Sequence, residues 1–206
     1  AEYPTPDGVD LEVGGTVEDQ GDAFGDLGTL LILIVILVYI VMATQFESLK
    51  FPFIIMFTIP FAFTGVFLAL WMTSTPLSLI ALIGAIMLVG IVTKNGIVMV
   101  DYMNLLIERG SGVFDAVIAG GKSRLRPVLM TSFTTILGML PLAIGTGAGS
   151  ETWQPMGIAV IGGLTFSTIL TLFIVPVLYS ILVNRSQRKE REKLARLAAE
   201  HQASVH

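Results

Sequence analysis

The chain has 206 residues, 53% of them hydrophobic and only 14% charged, with a mean hydropathy of +0.80. A soluble domain carries about 25% charged residues, so this composition is that of a membrane protein with short polar connections. There is no cysteine, which excludes disulfides, thiolate metal sites and cysteine nucleophiles. The net charge of −4 is unevenly spread: residues 1–29 hold eight acids and no base, whereas residues 184–206 hold six bases and three acids.

Residues 1–29 are Gly-rich and lack a long apolar run. Val9, Leu11 and Val13 alternate with Asp10 and Glu12, the period of a half-buried strand. One such strand needs partners from outside the chain. With no initiator Met, no basic n-region and no signal-peptide layout, the start has the character of a cut from something longer or of a processed product.

Five apolar spans follow, each near the 20 residues that a ~30 Å hydrocarbon core requires. They are predicted at about 27–43, 51–71, 77–103, 127–144 and 156–183, giving an all-α, five-helix integral membrane protein. Pro60, Pro141 and Pro176 fall inside spans, where neighbouring groups re-satisfy the freed carbonyls. Asn104–Arg126 is predicted to be a polar connection with a short interfacial helix over Phe114–Ile118. Lys50, Arg109, Lys122, Arg124, Arg126 and the six tail bases all fall on one side of five crossings. The positive-inside rule then puts the N-terminus outside and the C-terminus in the cytoplasm. The tail, Asn184–His206, is predicted to be a charged cytoplasmic helix with Arg188–Glu192 and Glu192–Arg196 as i,i+4 pairs, touching anionic lipid headgroups.

The third span holds the one base within the apolar runs, Lys94, between Thr93 and Asn95. An ionisable group at that depth costs roughly 2.5–3.5 kcal/mol on insertion scales and marks a functional site by default. Gly84, Gly90 and Gly96 on the same helix are expected to admit a close neighbour. In the fourth span Thr131, Thr134 or Thr135, and Gly138 share one helical face. Antiparallel depth counting puts Lys94 and Thr131 within roughly 2 Å of the same level. A hydroxyl-lined face opposite a buried ammonium is what a water-filled proton path needs. Two bland alternatives stand beside it: each threonine bonding only its own i−4 carbonyl, and Lys94 snorkelling to the basic-side interface.

A buried ammonium needs an anion or it loses its proton. Asp101 lies seven residues on, about 10 Å along the axis and out of reach, and no other carboxylate lies in the spans. The counter-ion therefore has to come from a helix this chain does not contain. With no histidine, cysteine or carboxylate pair in the spans, an intramembrane enzyme is disfavoured for want of a general base.

Four pieces of the sequence, FESLKFPF at 46–53, GIVTKNGIVMVD at 90–101, RLRPVLMTSFTTILGMLPLAIGTGAGS at 124–150 and FIVPVLYSIL at 173–182, carry a resemblance. Residues from about 27 to 183 resemble the last five of the twelve transmembrane helices of the proton-driven efflux permeases of the resistance–nodulation–division (RND) superfamily, in particular the hydrophobe/amphiphile (AcrB-like) branch. The resemblance implies a multi-pass protein of the bacterial inner membrane, working as a homotrimer with a periplasmic adaptor and an outer-membrane channel. It implies a secondary transporter rather than an enzyme, driven by the proton motive force, with no cofactor, metal or nucleic acid. Residues 1–26 become the end of a periplasmic domain, 27–183 the transmembrane domain and 184–206 a cytoplasmic tail. Lys94 corresponds to the lysine that pairs with two intramembrane aspartates of the N-terminal part. Arg124, Thr131 and Asn95 match the positions that support that proton relay. The aspartate helix and the substrate-bearing periplasmic domains lie outside these residues, so substrate is left open. Asp101 stands where glutamate is more usual, and the GAGSETWQPMG loop varies among subgroups. A lipid-exporting RND relative therefore stays in play, as does a non-transporting module: a split subunit, an assembly partner or an inert fragment.

Overall fold

The computed structural model describes residues 16–204 apart from Thr146 and Ala148, with side chains from Asp19 to Arg185. It contains six helices: α1 (Thr16–Phe46), α2 (Lys50–Met56), α3 (Ile59–Met72), α4 (Leu79–Glu108), α5 (Val113–Ile144) and α6 (Ser150–Ser204). Five helical stretches are long and apolar enough to cross a membrane: Asp19–Phe46, Lys50–Met72, Leu79–Glu108, Val113–Ile144 and Ser150–Arg185. The five-span, all-helical expectation is met among the described residues. The strand expected over Val9–Val13 lies outside them.

Three boundaries differ from those the hydropathy implies. The polar connection expected over Asn104–Arg126 shrinks to a turn. α4 continues to Glu108, and Phe114–Ile118 belongs to the first turns of a continuous α5. Likewise α1 begins eleven residues before the apolar run at 27, whereas the helix expected over the charged tail is met, with α6 continuing to Ser204. Hydropathy marks where a helix becomes apolar, not where its backbone ladder starts.

The second span is broken rather than smooth. Pro60 has no N–H to offer the carbonyl of Met56, and α2 ends at that residue. Phe57 and Thr58 stay in the right-handed helical region, so the backbone between α2 and α3 keeps helical dihedrals. Thr58, itself buried, donates its hydroxyl to the Ile55 carbonyl at 2.6 Å and satisfies one acceptor at the break.

α4 and α6 form the centre. One cluster joins them to α3 through Ala62, Val66, Leu70, Ala85, Leu88, Val92 and Leu164. A second, toward the end with the basic loops, joins them to α1 and α2 through Met42, Ile54, Ile55, Met99, Met103, Val175 and Tyr179. Close approach of α3 and α6 depends on glycine: a methyl at Gly65 would lie 2.8 Å from the Gly162 carbonyl oxygen and 3.0 Å from the Gly163 Cα. The expectation for α4 holds at two of its three glycines. A methyl at Gly84 would meet the Met156 backbone and one at Gly96 the Ile55 side chain, while nothing lies within 4 Å of Gly90. At the basic-loop end Tyr179 of α6 donates its hydroxyl to Asn104 of α4 and stacks on Phe51 at 5.6 Å.

The outer helices are different. In the apolar window of α1 only 6% of residues are buried and in that of α5 11%, against 50% in α4 and α6. Leu33, Leu37 and Ile40 of α1, and Phe133, Leu137 and Ile144 of α5, are exposed.

A groove between the Lys94 and Thr131 helices

α4 and α5 run antiparallel, and their register is fixed by small-residue contacts near the basic-loop end. A methyl at Gly120 would meet the Met103 side chain, and one at Gly121 the Met99 methyl at 3.9 Å. Further along, the helices bound an open groove of about 490 Å³ lined by Ile91, Lys94 and Asn95 of α4 and by Pro127, Met130, Thr131, Thr134 and Thr135 of α5. Lys94 and Thr131, matched only by depth in the sequence, thus share one wall-to-wall space. Asn95 joins them. Arg124, the fourth expected residue, does not line the groove; it sits one turn beyond Pro127 toward the basic loops.

Helix geometry explains which neighbours take part. Lys94 is exposed, whereas Thr93, one residue earlier and about 100° around the helix, is buried and donates to the Val89 carbonyl at 2.6 Å. On α5 Thr131 faces the groove, and Ser132 faces α6, where it shares a 2.9 Å hydrogen bond with Thr168. The polar patches of the sequence therefore divide into a groove-facing set and a buried set, in which Thr93 bonds its own helix and Ser132 ties α5 to α6.

The groove threonines all bond their own helix. Thr131 shares its proton between the Pro127 and Val128 carbonyls at 3.1 and 2.9 Å; Thr134 donates to Met130 at 2.8 Å and Thr135 to Thr131 at 2.9 Å. The i−4 alternative is the geometry observed. It leaves the hydroxyl lone pairs free, so the wall presents acceptors to whatever enters. The ammonium of Lys94 meets no carboxylate here: none lines the groove, and Asp101 lines a separate cleft with Glu47, Asn104 and Glu108.

Arg124 has a partner that sequence reasoning missed. Its guanidinium carbon lies 4.6 Å above the centre of the Tyr102 ring. Tyr102 is seven residues after Asn95 and so on the same helical stripe, a spacing that could have drawn attention to it. No group of three or more His, Cys, Asp or Glu among the described residues is arranged to hold a metal ion.

A bundle of spanning helices with a cation-bearing groove between two of them places the chain among multi-pass membrane proteins. Residues 2–183 match the AcrB/AcrD/AcrF family, and the chain belongs to it, within the RND superfamily. It is 38% identical over 185 residues to the swarming motility protein SwrC of Bacillus subtilis, covering 89% of this chain and 18% of the relative. It is equally 38% identical to the cobalt-zinc-cadmium resistance protein CzcA of Cupriavidus metallidurans, over 90% of this chain and 17% of that one. It is 42% identical over 163 residues to the multidrug resistance protein MdtC of Erwinia tasmaniensis, 79% of this chain and 16% of MdtC. Among solved structures, crystal form II of a heavy metal efflux pump superposes with a TM-score of 0.76 at 30% identity, covering 86% of this chain and 18% of that chain. The chain thus spans less than a fifth of the length of these relatives.

Proposed function

We propose that these helices are the C-terminal membrane part of a proton-driven efflux transporter and carry the basic side of its proton switch. The observation that carries this reading is Lys94: an ammonium in a groove otherwise walled by apolar side chains, threonines and Asn95, with no carboxylate among the lining residues. A helix bearing the paired aspartates that the family resemblance implies would complete the charge there. At ~4 Å and an effective dielectric near 20, an ammonium–carboxylate pair is worth about 4 kcal/mol. Protonating the carboxylate removes most of that attraction, a change of nearly three decades in any equilibrium it biases. Lys94 is the fixed cation, Thr131 and Asn95 supply groove-facing hydrogen-bond sites, and Arg124 stands at the groove's end.

In this reading the basic-loop end faces the cytoplasm of an inner-membrane, homotrimeric pump, with adaptor and outer-membrane channel on the other side. Trp71 and Trp153, both exposed, flank the opposite end, as interfacial aromatics do. The cargo of the hydrophobe/amphiphile branch is the first reading, in line with the name of MdtC. Metal-ion cargo is the second, favoured by the names of CzcA and of the heavy metal efflux pump. The decisive experiment is Lys94→Ala in the complete transporter, with proton-coupled efflux measured in membrane vesicles. Loss of coupling at normal membrane abundance is expected, and retained coupling sinks the role of Lys94. Parallel flux assays with a cationic dye and with divalent metal ions decide between the two cargo readings.

A further inference from the structure

Beyond the lined part of the Lys94 groove, toward the basic loops, lie Tyr102 on α4 and Arg124 on α5. On α4 Ile91, Asn95 and Tyr102 follow one another at i, i+4 and i+11, one helical stripe; on α5 Arg124 lies on the stripe of Pro127 and Thr131. At the end nearer the basic loops these stripes are joined by Arg124 itself, with its guanidinium carbon 4.6 Å over the Tyr102 ring. The Nε of Arg124 is buried without a hydrogen-bond partner, so among the described residues the ring face is the partner the structure records for this cation. A guanidinium with a buried, unbonded Nε has given up hydration there, and a π face is the compensation within reach.

We propose that Tyr102 is a positioning residue that holds Arg124 across the basic-loop end of the groove as a cationic gate. With the stack in place that end carries a fixed positive charge and excludes cations, hydrated protons included, while neutral molecules pass. Passage of a proton to that side requires the guanidinium to leave the ring. The consequence for transport rests on the proton-antiport reading; the exclusion of cations does not.

The test exploits a chain without cysteine. Met130 lines the groove and is exposed, and Met130→Cys places one thiol there. In membranes containing the complete transporter, with the basic-loop end facing the medium, its labelling rate is compared for a trimethylammonium methanethiosulfonate and for neutral methyl methanethiosulfonate. The unsubstituted transporter sets the background. Replacing Tyr102 by Leu in this parent removes the π face and keeps apolar bulk. The cationic-to-neutral rate ratio is expected to rise roughly tenfold, the factor that ~1.4 kcal/mol of lost attraction represents. Tyr102→Phe retains the face and is expected to keep the parent ratio. Arg124→Gln removes the charge with the ring intact and is expected to raise the ratio as Tyr102→Leu does, so it decides the matter if the Leu variant does not reach the membrane. An unchanged ratio in both Tyr102→Leu and Arg124→Gln overturns the gate, and a Phe variant as leaky as the Leu one overturns the role of the ring face. Because labelling needs no transport, failure of the antiport reading leaves this measurement standing and is recognised separately by Lys94→Ala.

Discussion

Adding one methyl at Gly65 tests the packing that holds the bundle together. An alanine Cβ there would lie 2.6 Å from the Cβ of Phe166, 2.8 Å from the Gly162 carbonyl oxygen and 3.0 Å from the Gly163 Cα. Carbon pairs rest near 3.5–4.0 Å, and a gap of 0.5–1 Å forfeits about a quarter to a half of each contact's well. Two of the three obstacles are backbone atoms that cannot rotate away, so α3 and α6 must separate by roughly 1 Å to restore ordinary contact. That separation loosens Ala62, Val66 and Leu70 from Leu88 and Leu164. Overpacking of this kind costs about 1–3 kcal/mol, against a gain of about 1 kcal/mol for replacing a mid-helix glycine by alanine. A net loss of about 1 kcal/mol is expected. Gly25→Ala on α1, with nothing within 4 Å, is the control and should gain up to about 1 kcal/mol. Unfolding in mixed micelles by a denaturing detergent, followed through Trp71 and Trp153, measures both. If Gly65→Ala gains stability as Gly25→Ala does, α3 and α6 are not in backbone contact and the packing described is wrong.

Two further outcomes concern the polar staples. For Ser132 and Thr168, each single apolar replacement (Ser132→Ala, Thr168→Val) leaves a buried hydroxyl unpaired and should cost about 1–3 kcal/mol, whereas the double variant should cost less than the sum; strict additivity in the same micelle assay refutes the bond. Tyr179→Phe removes the bond to Asn104 but keeps the stack on Phe51, so a loss of about 0.5–1.5 kcal/mol is expected. A change above 3 kcal/mol would mean that the ring itself had moved.

Much of this was legible in the sequence because a bilayer imposes a length. Twenty apolar residues are hard to mistake, so five spans emerged from counting, and alternating direction brought Lys94 and Thr131 to one level. The start of α5 was not legible, since a helix leaving hydrocarbon keeps its ladder and changes only its polarity. Residues Val113–Arg126 show this: their pattern is that of a connection, their backbone that of α5. Nor was the sorting of Thr93 from Lys94 or of Ser132 from Thr131 legible. Adjacent residues differ by about 100° in direction, and composition does not say which direction meets a neighbour. The Arg124–Tyr102 stack and the Tyr179–Asn104 bond join residues 22 and 75 positions apart. Nothing local selects such pairs, although the stripe from Asn95 to Tyr102 was there to be followed.

The same sorting bears on what separates function from structure in this membrane domain. Polar groups inside a bilayer are usually taken as functional markers, yet most of those here are accounted for within the chain. Thr58 and Thr93 bond their own backbone, Ser132 bonds Thr168, and Tyr179 bonds Asn104. The threonines facing the groove also spend their protons on carbonyls, so their presence there is not by itself a proton path. Thr171 and the Nε of Arg124 are the buried polar side-chain atoms left unbonded among the described residues. Arg124 has the Tyr102 ring in compensation, and Thr171 is a neutral hydroxyl. Lys94 alone combines a full charge, an open groove on its face and no carboxylate along that groove. On the reading proposed above, the case for Lys94 therefore rests on the satisfaction of the polar groups around it more than on its depth, and the partner helix invoked there would bring the anion.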